Sequence, residues 1–198
     1  MNVIETENKP RSASNIEQYF DAVYVMSFSF DLERRKKIKS QLDRLGIRFT
    51  FIDAVNGLEG KAFETYRTVM KRPLGHLKRF AEENDREIKR GKSFVESAGA
   101  IGYIFSYVKI LKKAQEDGHT KILTLEDDVI LAKDFHVKLS EFMSKIPKSW
   151  KAIQFGASQY GWDSVNLEEA LESGFYQPRK IDTCGSFALA LDTQVADD

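Results

Sequence analysis

The sequence predicts an α/β protein, with a mostly parallel central sheet and helices on both faces. Two observations carry this. Residues Lys121 to Leu131 read K-I-L-T-L-E-D-D-V-I-L, apolar on both sides of an acidic triplet. Such a run suits a strand covered on both faces, as in a parallel sheet. The chain also opens with strand, helix and strand patterns, an order that favours a right-handed parallel crossover. With 198 residues it is long enough for one domain with a sizeable core.

Taken in order, residues 1–13 read as a flexible arm. Ser14 and Glu17 have capping-box spacing ahead of a short helix over Asn15 to Phe20. Residues 1–20 are therefore set apart from a single domain over 21–198. Ala22 to Phe28 is β-rich and apolar on both faces, the first strand. Asp31 can cap a helix over Leu32 to Leu45, which Gly46 stops. Ile47 to Ile52 is a second strand ending at Asp53, and Ala54-Val55-Asn56-Gly57 is a turn.

Helical patterns follow over Lys61 to Lys71 and His76 to Arg90, divided by Pro73 and Gly75. His76 reads as an exposed or capping residue rather than a ligand. Ala98 to Asp117 is a helix whose inward face is predicted as Ile101, Ile104, Phe105, Val108 and Leu111. Gly99 and Gly102 sit in its first half, where glycine costs up to about 1 kcal/mol relative to alanine. Close approach of another backbone or of a ligand is expected there. After the acids, Asp134 can cap a helix through Ile146. Ala152 to Gly156 and Gly185 to Leu191 are the last strands. The polar stretch 157–180 carries Tyr160, Trp162, Phe175 and Tyr176, suited either to stacking on sugar rings or to a small core of their own.

Composition excludes several classes. Thirty basic and thirty acidic residues give a formal net charge of zero, so global charge does not suggest nucleic-acid binding. The one cysteine, Cys184, allows no disulfide within the chain and fits a reducing, cytoplasmic setting. No apolar run approaches a membrane span, and Met1 to Ser14 lacks the apolar core of a signal peptide. Any membrane contact is expected to be peripheral.

The acidic triplet Glu126-Asp127-Asp128 poses the electrostatic question. Carboxylates removed from water are costly, and adjacent ones repel. Unless the strand end faces solvent, a positive group must lie near: Arg or Lys side chains, or a divalent cation with oxygen ligands. The functional reading is a metal and phosphate site at the carboxyl end of a strand, where open α/β sheets bind ligands. Arg34-Arg35-Lys36-Lys37, in the first turns of a helix, form either a solvated face or a source of phosphate contacts.

The order of motifs resembles glycosyltransferase family 25, the lipooligosaccharide glycosyltransferases and their collagen galactosyltransferase relatives. The matching pieces are Asp53-Ala54-Val55-Asn56-Gly57, a helix with Gly99-Ala100-Ile101-Gly102 and Ser106, Leu125-Glu126-Asp127-Asp128-Val129, Phe155-Gly156 and Gly185-Ser186-Phe187-Ala188. They span roughly residues 22–191. The chain departs from the family pattern at Ala100 and Tyr103, at Tyr107, and at Phe30, where an arginine is usual. Relatives tend to continue with a further helix, so the C-terminus is expected to be truncated.

The resemblance implies a GT-A-like nucleotide-binding sandwich and an inverting, metal-dependent transfer. The sugar comes from a nucleotide diphosphate donor, a UDP-hexose such as UDP-galactose or UDP-glucose. It goes to a hydroxyl of a glycan, glycolipid or glycoprotein acceptor. It further implies Mn²⁺ or Mg²⁺ on Asp128, with Glu126 as a second ligand or ribose contact on the same strand face. Asp127, on the opposite face, is then structural or adjoins the nucleotide. Ser27, Arg34, Asp53, Asn56 and Ser106 are expected around the nucleotide, and Asp182 or Asp163 as the base that inversion requires. Two other readings stay open. One is a catalytically silent domain of this fold acting as a binding or assembly module. The other is a different metal-dependent phosphoryl enzyme.

Overall fold

The computed structural model describes residues 15–71, 97–159, 168 and 183–194. Strands β1 (Ala22–Ser27), β2 (Thr50–Asp53), β3 (Lys121–Glu126), β4 (Ala152–Gln159) and β5 (Thr183–Asp192) form a sheet of order β2-β1-β3-β5-β4. β1 runs parallel to β2 and β3. β5 runs antiparallel to β3 and to β4. The sheet is therefore mixed, not mostly parallel as expected. The unbroken apolar run of β3 reports that both its faces are covered, and says nothing about the direction of its neighbour.

Helices do cover both faces. They are α1 (Leu32–Leu45), α2 (Gly60–Lys71), α3 (Ala98–Glu116) and α4 (Phe135–Lys145). Strand alternation divides the core. Val23, Val25, Leu123 and Leu125 pack with Ile38, Leu42 and Leu139, from α1 and α4, on one side. Tyr24, Met26 and Ile122 pack with Ile110 and Ala114, from α3, on the other.

The caps explain the helix bounds. Asp31 accepts a hydrogen bond from the Arg34 backbone N–H, and Gly46 closes α1 in the left-handed region at φ 68°. Those bounds are the ones read from the sequence. Ser97 caps α3 by accepting from Ala100 N–H. Asp134 stands at the start of α4 but makes no side-chain cap; it pairs with Lys138 at 3.1 Å instead. The expected first helix shortens to a 3-10 turn, Asn15–Gln18, with Ile16 and Phe20 still buried. The expected helix over 76–90 lies outside the described residues.

The expected inward face of α3 holds at Ile101, which is buried, and at Leu111, which packs against the core, but not at Ile104 or Val108. Ile104 and Val108 are 49% and 44% exposed, while Gly102, Ser106, Ile110 and Ala114 are buried. The small residues face inward because α3 touches the turn after β2 backbone to backbone. A Cβ on Gly102 would meet Val55 O at 2.5 Å, and one on Gly57 would meet Ala98 O at 1.8 Å. Gly99, the other glycine expected at a close approach, would meet only the Ser97 hydroxyl at 3.5 Å, an ordinary contact.

Two substitutions separate these roles. Gly102→Ala is expected to destabilise by about 1–3 kcal/mol, the usual cost of overpacking. Gly99→Ala is expected to be neutral or up to about 1 kcal/mol stabilising, through helix propensity. Urea denaturation of both variants checks the contrast.

Candidate functional site

The carboxyl ends of β1, β2 and β3 lie along one edge of the sheet, since the three strands are parallel. The chain passes from β1 to β2 on one side, then returns to β3 on the other. That reversal is the switch point at which open α/β sheets leave a crevice. A cleft of about 430 Å³ opens there, between the β1–α1 loop, the β2–α2 turn and the first turns of α3.

Asp127 is the fixed point of its floor. It is 8% exposed and accepts a 2.6 Å hydrogen bond from the Ser27 hydroxyl at the end of β1. Arg34, from the first turn of α1, donates at 3.1 Å to Asp127 and at 3.1 Å to Asp128. The two carboxylates, Asp127 first, hold the Arg34 guanidinium more firmly charged than an ordinary arginine. The counter-charge that the triplet needs is thus supplied from within the chain. Of the four consecutive cations, Arg34 and Arg35 turn toward the sheet edge, while Lys36 and Lys37 are exposed.

The remaining acids have different surroundings. The Glu126 carboxylate lies 3.3 Å from the Tyr103 hydroxyl, and burial raises its pKa above the usual value. Tyr103 also lies 3.3 Å from the Tyr107 hydroxyl and hydrogen-bonds Ser186. Burial pushes the Tyr103 phenol far up, so it stays protonated at neutral pH. The Asp128 side chain is 50% exposed. Regular alternation was expected to place Glu126 and Asp128 together and Asp127 apart. β3 ends at Glu126, however, and the next residues turn. Asp127 and Asp128 consequently share Arg34. Gln41 of α1 pins this turn, donating to Val129 O at 2.9 Å and accepting from Leu131 N–H at 3.0 Å.

The other expected nucleotide contacts divide. Asn56 lines the cleft, but its amide holds the turn, donating to Glu59 and accepting from Leu58 N–H. Ser106 is 1% exposed, and its hydroxyl accepts from Val55 N–H and donates to Gly102 O, both at 2.8 Å. It staples α3 to the turn. Asp53 stands outside the cleft wall and pairs with Arg35, which also donates to the Ser27 and Phe28 carbonyls. Asp182, Asp163, His76 and the aromatics Tyr160, Trp162, Phe175 and Tyr176 lie outside the described residues.

Sequence reasoning missed Tyr103 and Gln41 as site residues. The signal for Tyr103 was its place one turn before Tyr107 on the helix that precedes the acids. Among the described residues, no group of three or more His, Cys, Asp or Glu side chains is arranged to hold a metal ion. Asp128 and Glu126 do offer hard oxygen donors, and Mg²⁺-type ions commonly take one or two carboxylates plus substrate phosphates. The donor set fits that mode. Among the described residues, no helix is long and apolar enough to cross a membrane.

The α/β layering is compatible with a GT-A-like fold. The profile described as glycosyltransferase family 25 (LPS biosynthesis protein) matches residues 20–186. The chain belongs to that family. It is 27% identical over 153 residues to a rat protein (Rattus norvegicus) named probable inactive glycosyltransferase 25 family member 3. That alignment covers 76% of this chain and 24% of the relative. The mouse (Mus musculus) inactive glycosyltransferase 25 family member 3 matches equally, at 27% over 76% of this chain and 23% of its own. The chain therefore spans about a quarter of the length of the curated relatives it matches.

Two measurements test the electrostatics. Arg34→Ala leaves Asp127 buried beside Asp128 and is expected to cost about 1–2 kcal/mol, a buried-pair loss discounted for the half-exposed arginine. In a double-mutant cycle, Asp127→Asn should recover part of that loss. For Glu126 the folded pKa is raised, so the fold binds more protons than the unfolded chain. Stability then falls as pH rises from the ordinary glutamate range through the folded value. Glu126→Gln is expected to be more stable than wild type at pH 8, with the gain vanishing at pH 4, by urea denaturation.

Proposed function

We propose that the cleft binds a nucleoside diphosphate sugar, a UDP-hexose, and that the chain carries the donor half of an inverting hexosyl transfer. The observation that supports this best is the convergence of Ser27, Arg34, Glu126 and Asp127 on one crevice at the switch point of the sheet. Arg34, which pairs with two carboxylates, would face the anionic diphosphate. A Mn²⁺ or Mg²⁺ ion on Asp128, with Glu126 nearby, would neutralise charge on the departing diphosphate. Asp127 would keep Arg34 in place, and Ser27 would keep Asp127 in place. Tyr103, protonated, would donate to Glu126 or to a sugar hydroxyl. A second groove of about 840 Å³ begins at Asp128, between the 129–132 turn, α4 and β5. Donor and acceptor would then meet from two sides of Asp128, with the acceptor a glycan, glycolipid or glycoprotein hydroxyl.

A second reading is a silent domain that binds the nucleotide sugar without turnover. It is favoured by the names of the two relatives, both of which include the word inactive. The two readings part on chemistry rather than on binding.

With Mn²⁺ present, UDP at about a hundred times its Kd should stabilise wild type by about 2.7 kcal/mol, read as a thermal shift. EDTA or Asp128→Ala should remove most of that shift. Release of UDP from UDP-galactose or UDP-glucose then decides between the readings: turnover supports the transferase, and binding without turnover supports the silent domain. No shift with UDP or GDP in the presence of metal would overturn both.

A further inference from the structure

The cleft has two kinds of lining. Arg34, Glu126 and Asp127 are ionic, while Phe28 and Leu58 are large and apolar. Phe28 directly follows β1 and is half-buried. One side of its ring is taken by Phe30, at 5.0 Å between centroids and 15° between planes, an offset-stacked geometry. Its backbone is pinned, because its carbonyl accepts from Arg35 Nε and from Asp31 N–H, each at 3.1 Å. Leu58 comes from the β2–α2 turn, with its N–H held by Asn56 at 3.0 Å. Phe30 is 74% exposed and Leu58 69% exposed. Two hydrogen-bonded loops thus hold large apolar side chains, Phe30 and Leu58, in water beside a cleft that also carries charge. A flat aromatic group on an anionic chain matches both kinds of lining at once, whereas a plain phosphate ester matches only the ionic one.

We propose that Phe28, braced from behind by Phe30, and Leu58 form a clamp for the nucleobase of the donor. This rests on the reading that the cleft takes a nucleoside diphosphate. The base would lie against the Phe28 ring with Leu58 on its other side, and the diphosphate would extend to Arg34. An aromatic platform without base-specific hydrogen bonds discriminates a base from no base, rather than one base from another.

The test is calorimetric titration of the full chain, with Mn²⁺, using UDP and inorganic pyrophosphate as paired probes. Phe28→Leu keeps apolar bulk but removes the aromatic face. It should weaken UDP about five- to a hundredfold, the usual range for one stacked base. Pyrophosphate binding should be unchanged. Leu58→Ser, at an exposed position that the fold does not depend on, should weaken UDP in the same selective way. It serves if Phe28→Leu does not fold. Equal losses for both probes, or unchanged UDP binding in the folded variants, would overturn the clamp while leaving the nucleotide reading intact. Wild type that binds pyrophosphate as tightly as UDP would do the same. Wild type that binds neither probe sinks the nucleotide reading, and the clamp with it.

Discussion

The structure depends first on one buried carboxylate. Asp127 sits just past the end of β3, almost out of solvent, where an unpartnered polar group is costly. Two groups compensate it: the Ser27 hydroxyl at the end of β1 and the Arg34 guanidinium on α1. The interaction therefore joins three elements that are far apart in sequence. It also fixes where α1 starts relative to the sheet, with Ile38 and Leu42 of the same helix seated in the core below. Gln41 extends this by holding the 129–131 turn through two hydrogen bonds. One helix thus carries a cation, an amide and two core residues on a single face, and together they set the acids in place.

A second constraint is steric. α3 can reach the edge of the cleft only because Gly57 and Gly102 carry no side chain where the backbones meet. The hydroxyl of Ser106 then ties the Val55 N–H to the Gly102 carbonyl. This close contact brings Tyr103 over β3, where it meets Glu126. The glycines thus act on the electrostatics of the site indirectly, by setting the height of the helix that bears the phenol.

Much of this was legible in the sequence, and the failures have physical causes. The bounds of α1 were readable because both its caps are local: an aspartate three residues ahead of the N–H it accepts from, and a glycine at positive φ. The need for a positive partner near the triplet followed from charge alone. Which partner met it did not, because Arg34 lies over ninety positions away in sequence. The direction of β5 was hidden because an apolar strand looks the same beside a parallel or an antiparallel neighbour. The inward face of α3 was read only in part, at Ile101 and Leu111, because periodicity weights large residues, and here the tightest contact belongs to glycine and serine. Alternation failed beyond Glu126 for the simplest reason: it applies only while the strand continues, and the chain turns at the next residue.

The three acids end up with three separate roles. Asp127 serves the fold, since its oxygens are used by Ser27 and Arg34. Glu126 is half-buried against a protonated phenol, and burial favours its own proton. Asp128 is the most exposed of the three and has one oxygen on Arg34. A divalent cation entering the cleft would meet a triplet whose charge is already partly balanced, so Asp128 alone would bind it weakly. A diphosphate would change that balance, because its charge would draw on Arg34 and its oxygens would serve as ligands to the ion. Metal and nucleotide would therefore bind cooperatively, each stabilising the other by the same free energy. Arg34, which balances the acids within the fold, is also the group that an incoming anion would draw on.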